Sequence, residues 1–426
     1  MSGDAGSNQG TSPLETFETD IAIVGGAMAG ATLALALDKL ASDLGKPLRI
    51  TLIEARRPGD EHPGFDGRAI AVAEGSITEL KRLGVWRHLS QLGTSITDIH
   101  VSDRSHFGMT ELGSAAFGLP YLGQVVELEA VGKALFAAIE KSQIRCLCPD
   151  SLQRLEAGQE AHTLVLASGA VLKAKLVVAA DGLGSAVRSH FNLPLEQVDF
   201  GQSAVIANVA LDRPHNHWAW ERFTGSGPLA LLPMADIHGQ HRLSLVWAMP
   251  PDEAERFHHC DEAEFVSALQ QAFGYRAGKF TAAGSRHSYE LKLSWMPRPI
   301  HHRCVFVGNA AQTLHPIAGQ GFNLGLRDIV DLVAVLKQAL IDNDDIGDIR
   351  QLHAYLRLRE QDRRETLLAI ESLVRGFSNQ YWPLVAGRSL GLRLLSWCPP
   401  LKAPLASRAM GWRRGVRLST VSPCED

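Results

Sequence analysis

A glycine-rich turn between a short apolar strand and an apolar helix constrains the fold of this chain more than any other feature. Residues 20–24 (D-I-A-I-V) run into the turn G-G-A-M-A-G (residues 25–30), and an Ala/Leu-rich stretch follows to about residue 44. A second apolar segment, residues 48–53, ends at Glu54. This order predicts a β-α-β unit of the dinucleotide-binding type, with an acidic residue at the end of its second strand.

Each residue of the turn has a physical role in such a unit. Gly25 permits the tight turn, Gly30 lets helix and strand approach each other, and the helix that starts after Gly26 offers N–H groups to a pyrophosphate. Ala27 stands where the G-x-G-x-x-G fingerprint has its middle glycine, so a methyl group lies at the closest approach to the phosphates. Glu54 is expected to accept the hydroxyl groups of an adenosine ribose. The unit alone allows FAD or NAD.

Length and charge narrow the class of protein. The chain has 426 residues, of which 45% are hydrophobic and 21% charged, as in a folded protein of two or three lobes. Its 42 Lys and Arg against 46 Asp and Glu give a net charge of −4, which argues against nucleic-acid binding. Residues 1–17 are polar and lack the apolar core of a signal peptide, so we expect a loose tail and a cytoplasmic location.

The cysteines and histidines do not predict a metal site. Six scattered cysteines include no C-x-x-C pair, which fits neither a disulfide framework nor a zinc spacing. The pairs His258-His259 and His301-His302 are neighbours in sequence, and neighbours rarely converge on one ion. We therefore expect no metal.

A second glycine motif follows another apolar strand. Residues 176–180 are predicted to form a strand that leads into Asp181-Gly182, and open α/β sheets place their ligands at such strand ends. The sequence G-L-G beginning at Gly182 imitates a second dinucleotide turn. However, Val187 occupies the position of its third glycine, so we do not interpret it as one.

A third motif has the same arrangement. Residues 304–307 form a predicted strand that ends at Gly308-Asn309, and a helix is predicted from about residue 321. Consecutive backbone N–H groups before and at this helix start suit an electron-rich flavin edge or a phosphate. The residues concerned are Gly319, Gln320, Gly321, Phe322 and Asn323.

The three motifs, in this order and spacing, resemble the FAD-dependent aromatic hydroxylases of the para-hydroxybenzoate hydroxylase type. In that family the second motif reads D-G-x-x-S-x-V-R, as residues 181–188 do, and it is associated with FAD and pyridine-nucleotide binding. The third motif normally reads G-D, whose Asp holds the flavin ribityl chain; Asn309 offers an amide instead. Segments such as 65–72 and 308–325 narrow the resemblance to the bacterial 2-octaprenyl-6-methoxyphenol hydroxylases of ubiquinone biosynthesis. It covers roughly residues 18–415.

The resemblance implies an α/β fold. A Rossmann-like, β-β-α-capped FAD-binding domain would be interleaved with a smaller mixed-sheet substrate domain and followed by a helical C-terminal region. In that region Leu352 and Tyr355 follow a helical period with charged residues between the apolar ones. The expected pieces are the flexible tail 1–17; the FAD-binding segments 18–75, 98–185 and 285–345; the substrate-domain segments 76–97 and 186–284; and the helical region 346–426.

The resemblance also implies an activity. FAD would be the cofactor, NAD(P)H the electron donor and O2 the co-substrate. A flavin C4a-hydroperoxide would hydroxylate a polyprenylated methoxyphenol at the ring carbon para to the phenol hydroxyl. Three alternatives stay open: a paralogue acting at another ring position, a flavin- or NAD-dependent reductase without oxygen insertion, and a flavin-bound scaffold without activity.

Few acid–base residues are expected in such an enzyme. The resemblance places the loop with His315 and Pro316 near the flavin edge, where a histidine titrating near neutrality would tune phenol ionisation. The alternative is that His315 only hydrogen-bonds its own loop. Arg68 is expected to contact the flavin side, the alternative being a surface ion pair.

The C-terminus is basic. Residues 372–424 contain eight Arg or Lys and no acidic residue, mixed with Leu and Trp. A polyprenyl phenol is too apolar to travel through water, so the enzyme would collect it at a membrane or from other ubiquinone-biosynthesis proteins. The segment suits peripheral contact with an anionic inner membrane, or packing against the acidic body of the protein.

Overall fold

The structure, a computed structural model, describes residues 16–59, 62–64, 67–103, 109–314, 320–377 and 410–412. The strands are β1 Thr16–Val24, β2 Ile50–Ile53, β3 Ala69–Ala73, β4 Thr94–Ile96, β5 Asp98–Asp103, β6 Met109–Gly113, β7 Gly123–Glu127, β8 Arg145–Leu147, β9 Leu152–Glu156, β10 His162–Leu166, β11 Val171–Ala179, β12 Glu196–Leu211, β13 Trp218–Phe223, β14 Pro228–Ile237, β15 Gln240–Met249, β16 Phe280–Ala283, β17 His287–Trp295, β18 Ile300–His301, β19 Cys304–Phe306 and β20 Gln312–Thr313. The helices are α1 Met28–Leu44, α2 Glu74–Arg82, α3 Leu128–Ile139, α4 Ala186–His190, α5 Pro251–His259, α6 Glu262–Phe273, α7 Gln320–Asp342 and α8 Ile349–Phe377.

The first sheet has a parallel centre in the order β8-β2-β1-β11-β19. Both faces of β1 are buried: Ile21 and Ile23 pack against α1, α3 and α7, while Ala22 and Val24 face the antiparallel strands β9 and β10. A strand covered on both sides reads as a continuous apolar run, which is why its sequence predicted a parallel strand. The predicted β-α-β unit and α/β class are confirmed.

The three motif positions converge because parallel strands end at one edge of a sheet. Gly25 follows β1, Glu54 follows β2, Asp181 comes two residues after β11, and Gly308 two residues after β19. These four strands are consecutive in the sheet, in the order β19-β11-β1-β2. The carboxyl edge of the first sheet is therefore the candidate site.

The second sheet follows the order β20-β17-β12-β15-β14-β13-β5-β6, with β16 also paired to β12. One face is covered by α5 and α6, where the rings of Trp247 and Phe257 stack with centroids 5.2 Å apart. The opposite face meets the small antiparallel sheet β3-β7-β4 through Ala69, Val125 and Met234.

Three predicted segment boundaries differ from the structure. Residues 98–113 were expected in the FAD-binding domain, but β5 pairs in parallel with β13, so they belong to the second sheet. Strand β17 also lies in that sheet, although it falls within the predicted segment 285–345. Conversely, α2 in the segment 76–97 packs into the core of the first sheet through Ile77 and Leu80. Strand partners are set by long-range pairing, which local alternation does not encode.

The N-terminal boundary also differs. Strand β1 begins at Thr16, so the last two residues of the predicted tail 1–17 extend the sheet and pair with β11. The guanidinium carbon of Arg145 lies 4.2 Å from the centre of the Phe17 ring, which gives the start of β1 a packing partner.

Residues 410–412 pack onto the body of the protein. The N–H of Gly75 donates to the carbonyl oxygen of Met410 at 2.9 Å, which satisfies a first-turn N–H group of α2. The Met410 side chain is 3% exposed and lies against Phe117 and Leu122. This contact favours core packing for that part of the basic C-terminus. Residues 378–409 and 413–426 lie outside the described residues.

Truncating Met410 should therefore destabilise the protein. Met410→Ala removes a buried side chain, and we expect a loss of about 2 kcal/mol in unfolding free energy, measured by urea denaturation. Met109→Ala is the matched control, because Met109 is 49% exposed and should change stability by less than about 0.5 kcal/mol. Equal stability of the two variants would contradict core packing of residues 410–412.

Candidate functional site

The turn after β1 can only be built from glycine at two positions. Gly25 has a φ of +98°, and a Cβ there would lie 2.5 Å from the carbonyl oxygen of Ala180. A Cβ on Gly30 would lie 1.8 Å from the carbonyl oxygen of Gly25. The turn is thus a close-packed cradle in which β1, α1 and the second motif meet, as the sequence predicted.

The N-terminus of α1 opens onto this cradle. Ala27 is the N-cap residue and makes no side-chain hydrogen bond to the helix. A first turn without a side-chain cap leaves N–H groups and the positive end of the helix dipole for an anion. The helix start therefore suits a pyrophosphate despite the alanine in place of the fingerprint glycine.

Glu54 is buried, 8% exposed, and fixed by nitrogen donors. Its Oε2 accepts the N–H of Gly26 at 2.5 Å, and its Oε1 accepts the N–H of Arg56 at 3.0 Å. His62 Nε2 lies 3.2 Å from Oε1. Burial would raise the pKa of Glu54, but these contacts outweigh it and hold the pKa below its ordinary value. The carboxylate is ionised and oriented at the end of β2.

Asp181 has one engaged and one orphaned carboxylate oxygen. Oδ2 accepts the N–H groups of Ala186 at 2.7 Å and Val187 at 3.4 Å. Oδ1 is buried and has no hydrogen-bond partner in the part of the chain that the structure describes. Burial raises the pKa of Asp181 above its ordinary value, although the Ser185 side chain and the backbone N–H groups oppose the shift. An orphaned acceptor at a strand end suits a hydroxyl group of a ligand.

The third motif packs directly on the first. Gly308 has a φ of +57°, and a Cβ there would lie 3.2 Å from the Cβ of Ala29 in α1. Helix α7 crosses close by, because a Cβ on Gly325 would be 3.1 Å from the Gly308 Cα. Asn309 is exposed beside this contact, so its amide is accessible at the carboxyl edge of the first sheet.

A buried charged network, which sequence reasoning missed, supports the third motif. Asp328 on α7 is 1% exposed and accepts the Gly308 N–H at 3.0 Å, Gln312 Nε2 at 2.6 Å and Arg359 Nε at 2.7 Å. Arg363 on α8 donates to Gln312 Oε1 at 2.7 Å and to the carbonyl oxygen of Ala311 at 3.2 Å. The C-terminal helix therefore fixes the backbone of residues 308–312. A signal was present, since Arg359 and Arg363 continue the apolar stripe of α8.

Arg188 joins the second motif to the third. It is 7% exposed and donates to the carbonyl oxygen of Ala310 at 3.0 Å and to that of Leu183. Ser185 caps α4 by accepting the Arg188 N–H at 3.1 Å. The end of the D-G-x-x-S-x-V-R pattern thus has a structural role between the two loops.

The face of the second sheet that lies opposite α5 and α6 forms an apolar wall. Its central side chains are half-buried, whereas their neighbours along the same strands are fully buried on the helix-covered face. We call Ile206, Ala230, Leu232 and Val246 the apolar wall.

The apolar wall is bounded at both ends by contacts with the segments that precede β3 and follow β20. At one end Asn208 Nδ2 donates to the carbonyl oxygen of Gly67 at 3.3 Å, and the Arg68 guanidinium lies 5.1 Å from the centre of the Tyr289 ring. At the other end Phe223 packs near Leu314, the last described residue before the loop of the third motif. The wall therefore faces the region between the two sheets.

Comparison with known proteins agrees with this geometry. The sequence model of the family described as FAD binding domain matches residues 18–358. The chain belongs to this family. It is 32% identical over 394 residues to the ubiquinone hydroxylase UbiL of Rhodospirillum rubrum, covering 92% of this chain and 89% of that protein. It is 31% identical over 405 residues to the 3-demethoxyubiquinol 3-hydroxylase of Escherichia coli, covering 92% and 98%.

The fold matches a solved enzyme of the same class. The crystal structure of p-nitrophenol 4-monooxygenase PnpA from Pseudomonas putida superposes with a TM-score of 0.72 at 16% identity, covering 94% of this chain and 100% of that one. The family and its named hydroxylases identify the chain as a flavin-dependent aromatic monooxygenase that uses FAD. NAD(P)H and O2 are the typical co-substrates of this enzyme class.

The residues at the carboxyl edge fit FAD. The glycine cradle at Gly25 and Gly30 admits a phosphate close to the backbone, and no side chain caps the start of α1. Glu54 supplies an ionised acceptor at the end of β2, and Asp181 Oδ1 and Asn309 supply further polar groups beside the third motif. Each is a partner that a dinucleotide carrying hydroxyl and phosphate groups requires.

The remaining predicted residues fall into three groups. His315, Pro316 and Gly319 lie outside the described residues. The side chain of Gln320 does too, although its backbone begins α7, followed by Gly321 and Phe322 in the first turn. Asn323 is 2% exposed, and its amide bonds the backbone of Ala71 and Ala73 in β3. That amide fixes β3 to α7; the backbone of 320–323 remains a predicted flavin contact.

A group with metal-ligand chemistry exists among the described residues, away from this site. Glu255, His258 and His259 lie on one turn of α5, on the outer side of the second sheet. His259 Nε2 is 2.9 Å from Glu255 Oε1, and both side chains are 68% exposed. A single exposed helical turn offers no enclosed ligand set, so we assign no metal to it.

Removing the orphaned acceptor should weaken the hold on FAD. Asp181→Ala deletes Oδ1, and we expect FAD affinity to fall by about 1–3 kcal/mol, measured as occupancy after dialysis. Reduction of the flavin by NAD(P)H should also be slower, as measured by stopped-flow absorbance. Asp181→Asn keeps an acceptor oxygen and should retain more FAD than the alanine variant. Full FAD occupancy in Asp181→Ala would contradict the assignment.

Proposed function

We propose that this enzyme hydroxylates a polyprenylated methoxyphenol of ubiquinone biosynthesis at the ring carbon para to the phenol hydroxyl. The observation that carries the proposal is the apolar wall, a row of half-buried aliphatic side chains across the middle of a sheet. Burying apolar surface against it contributes roughly 25 cal/mol per Å². A prenylated ring gains more from such a surface than a small polar phenol does.

The relatives support the pathway. The two named above carry ubiquinone and demethoxyubiquinol in their names, and both cover about nine-tenths of this chain. The segments 65–72 and 308–325 support the para position, through the resemblance noted from the sequence. Hydroxylation at another ring position is the second candidate, favoured by the 31% identity to a 3-hydroxylase.

The residues of the chain would divide the work as follows. Glu54, the start of α1, Asp181 and Asn309 would bind the cofactor, and Arg68 would lie on its flavin side. Bound FAD supplies hydride acceptance from NAD(P)H and the activation of O2. The apolar wall would orient the substrate ring and exclude water from it. In the net reaction one oxygen atom enters the ring and the other leaves as water.

Delivery of the substrate belongs to the proposal as well. Within the described residues, every helix is too short or too polar to cross a bilayer. We infer that the prenylated phenol reaches the enzyme from a membrane surface or from a partner protein of the pathway. Binding to liposomes of anionic and of neutral lipid, by the wild type and by a chain lacking residues 413–426, tests the membrane route.

The activity is tested with purified enzyme, FAD, NADPH, O2 and a short-chain prenylated methoxyphenol. We expect oxygen uptake coupled to a singly hydroxylated product, with the new hydroxyl located para by NMR. Product at another carbon would establish the second candidate, and NADPH oxidation without product would contradict both.

The apolar wall is tested by substitution. Leu232→Asp should raise the KM for the prenylated substrate at least tenfold while FAD occupancy stays unchanged, because it adds a charge to the wall. Ile237→Asp is the matched control, since Ile237 lies on the same strand and is 44% exposed. Wild-type KM in Leu232→Asp would rule out this face as the substrate surface.

A further inference from the structure

His62 is a buried histidine that no sequence motif predicted. It is 3% exposed, although it lies in a polar connection between β2 and β3. Its Nδ1 accepts the N–H of Gly64 at 3.0 Å, so the ring proton of the neutral form is assigned to Nε2. That Nε2 lies 3.2 Å from Glu54 Oε1. The His62 ring and the Glu54 carboxylate are therefore within ion-pair distance of each other at the end of β2.

The short segment 62–64 is attached to its surroundings at two points. At the first, Gly64 lies against the start of α1, where a Cβ on it would be 2.7 Å from the Cβ of Ala27. At the second, the carbonyl oxygen of Pro63 accepts Arg68 Nη2 at 2.8 Å. The segment thus joins Ala27, the departure from the nucleotide fingerprint, to Arg68. This double attachment leaves His62 little freedom to turn away from Glu54.

The contacts of Glu54 with the described residues leave one acceptor position of its carboxylate for a ligand. A carboxylate has about four acceptor positions on its two oxygens. On Oε1 both face nitrogen atoms of the chain, Arg56 N and His62 Nε2, whereas among the described residues Oε2 accepts the Gly26 N–H alone. The second position on Oε2 is the one that fits a ligand hydroxyl. Without His62, the carboxylate would keep its two backbone N–H donors, Gly26 and Arg56, and would be held less firmly in this orientation.

We propose that His62 is a positioning residue for the cofactor: it holds the Glu54 carboxylate so that Oε2 accepts a hydroxyl group of the adenosine ribose. Outer contacts of this kind orient a binding group without touching the ligand. The inference depends on FAD as the cofactor and on the role of Glu54, and it is independent of the substrate and of the ring position proposed above.

The test measures the dissociation constant of FAD for flavin-stripped protein, by quenching of flavin fluorescence. His62→Ala should weaken FAD binding about tenfold, the scale of one hydrogen bond to a charged group. His62→Gln, which keeps an N–H donor, should recover most of the affinity, whereas His62→Leu should not. His259→Ala is the matched control, because His259 also pairs with a glutamate but is 68% exposed on α5. It should bind FAD as the wild type does.

A double-mutant cycle separates positioning from a general structural role. In a Glu54→Ala background, His62→Ala should cause no further loss of FAD affinity, because there is no carboxylate left to orient. An equal tenfold loss in both backgrounds would overturn the proposal, as would unchanged or tighter FAD binding by His62→Ala. If the alanine variants fail to fold, the Gln and Leu variants decide: equal FAD affinity of these two would also overturn it.

Discussion

Replacing Arg359 with leucine is expected to lower the unfolding free energy by about 3–5 kcal/mol, the usual effect of removing one partner of a buried ion pair. Arg359 is 1% exposed and its Nε donates to Asp328, which is equally buried. Arg359 Nη1 also donates to Asp362 at 2.6 Å, while Asp331 lies 3.4 Å away. Leucine would leave the Asp328 carboxylate without its cationic partner in an apolar setting.

The same change should release FAD, because Asp328 also holds the Gly308 N–H at the third motif. Urea denaturation and flavin absorbance after dialysis measure the two effects. Arg350→Leu is the matched control: Arg350 lies in the first turn of the same helix and pairs with Asp348, but it is 74% exposed, so its removal should leave stability almost unchanged. Equal stability of the two variants would show that the buried network contributes nothing.

Local patterns predicted the parts of the fold that local interactions determine. The strand ending at Gly25, the acid at Glu54 and the strand ending at Gly308 were all readable, because buried parallel strands are short apolar runs and tight turns need glycine. The sequence did not predict to which sheet β5 and β17 belong. Either assignment buries the same alternating side chains, so only the long-range pairing distinguishes them.

The support of the site was less predictable than the site itself. On α8 the buried positions run Leu352, Tyr355, Arg359 and Arg363, which is one continuous helical stripe. Its apolar half was recognised, whereas its arginines were counted only among the charged residues between the apolar ones. A buried arginine is rare unless it is paired, and its partner Asp328 lies 31 residues away in sequence. Such a pairing follows from the packing of two helices, so the stripe on α8 indicates that the arginines are buried but does not identify their partner.

In the turn after β1, Gly30→Ala is expected to impair both folding and cofactor binding. In an ordinary helix this change stabilises by about 0.5–1 kcal/mol, because glycine is a poor helix former. Here the added methyl would lie 1.8 Å from the carbonyl oxygen of Gly25, and that atom belongs to a turn held against Ala180. The backbone on both sides cannot move aside as a flexible side chain does. The cost of overpacking, about 1–3 kcal/mol, therefore exceeds the gain in helix propensity.

The displacement should reach FAD because the same turn presents the start of α1 to the pyrophosphate. We expect Gly30→Ala to bind FAD at least tenfold more weakly, measured by fluorescence quenching, and to melt at a lower temperature. Gly184→Ala is the matched control: a Cβ there meets nothing within 4 Å, so the same methyl is accommodated. If Gly30→Ala kept wild-type affinity and melting temperature, the contact between α1 and the turn could not be as close as the structure has it. Weaker FAD binding by Gly30→Ala than by Gly184→Ala would show that cofactor binding depends on that contact.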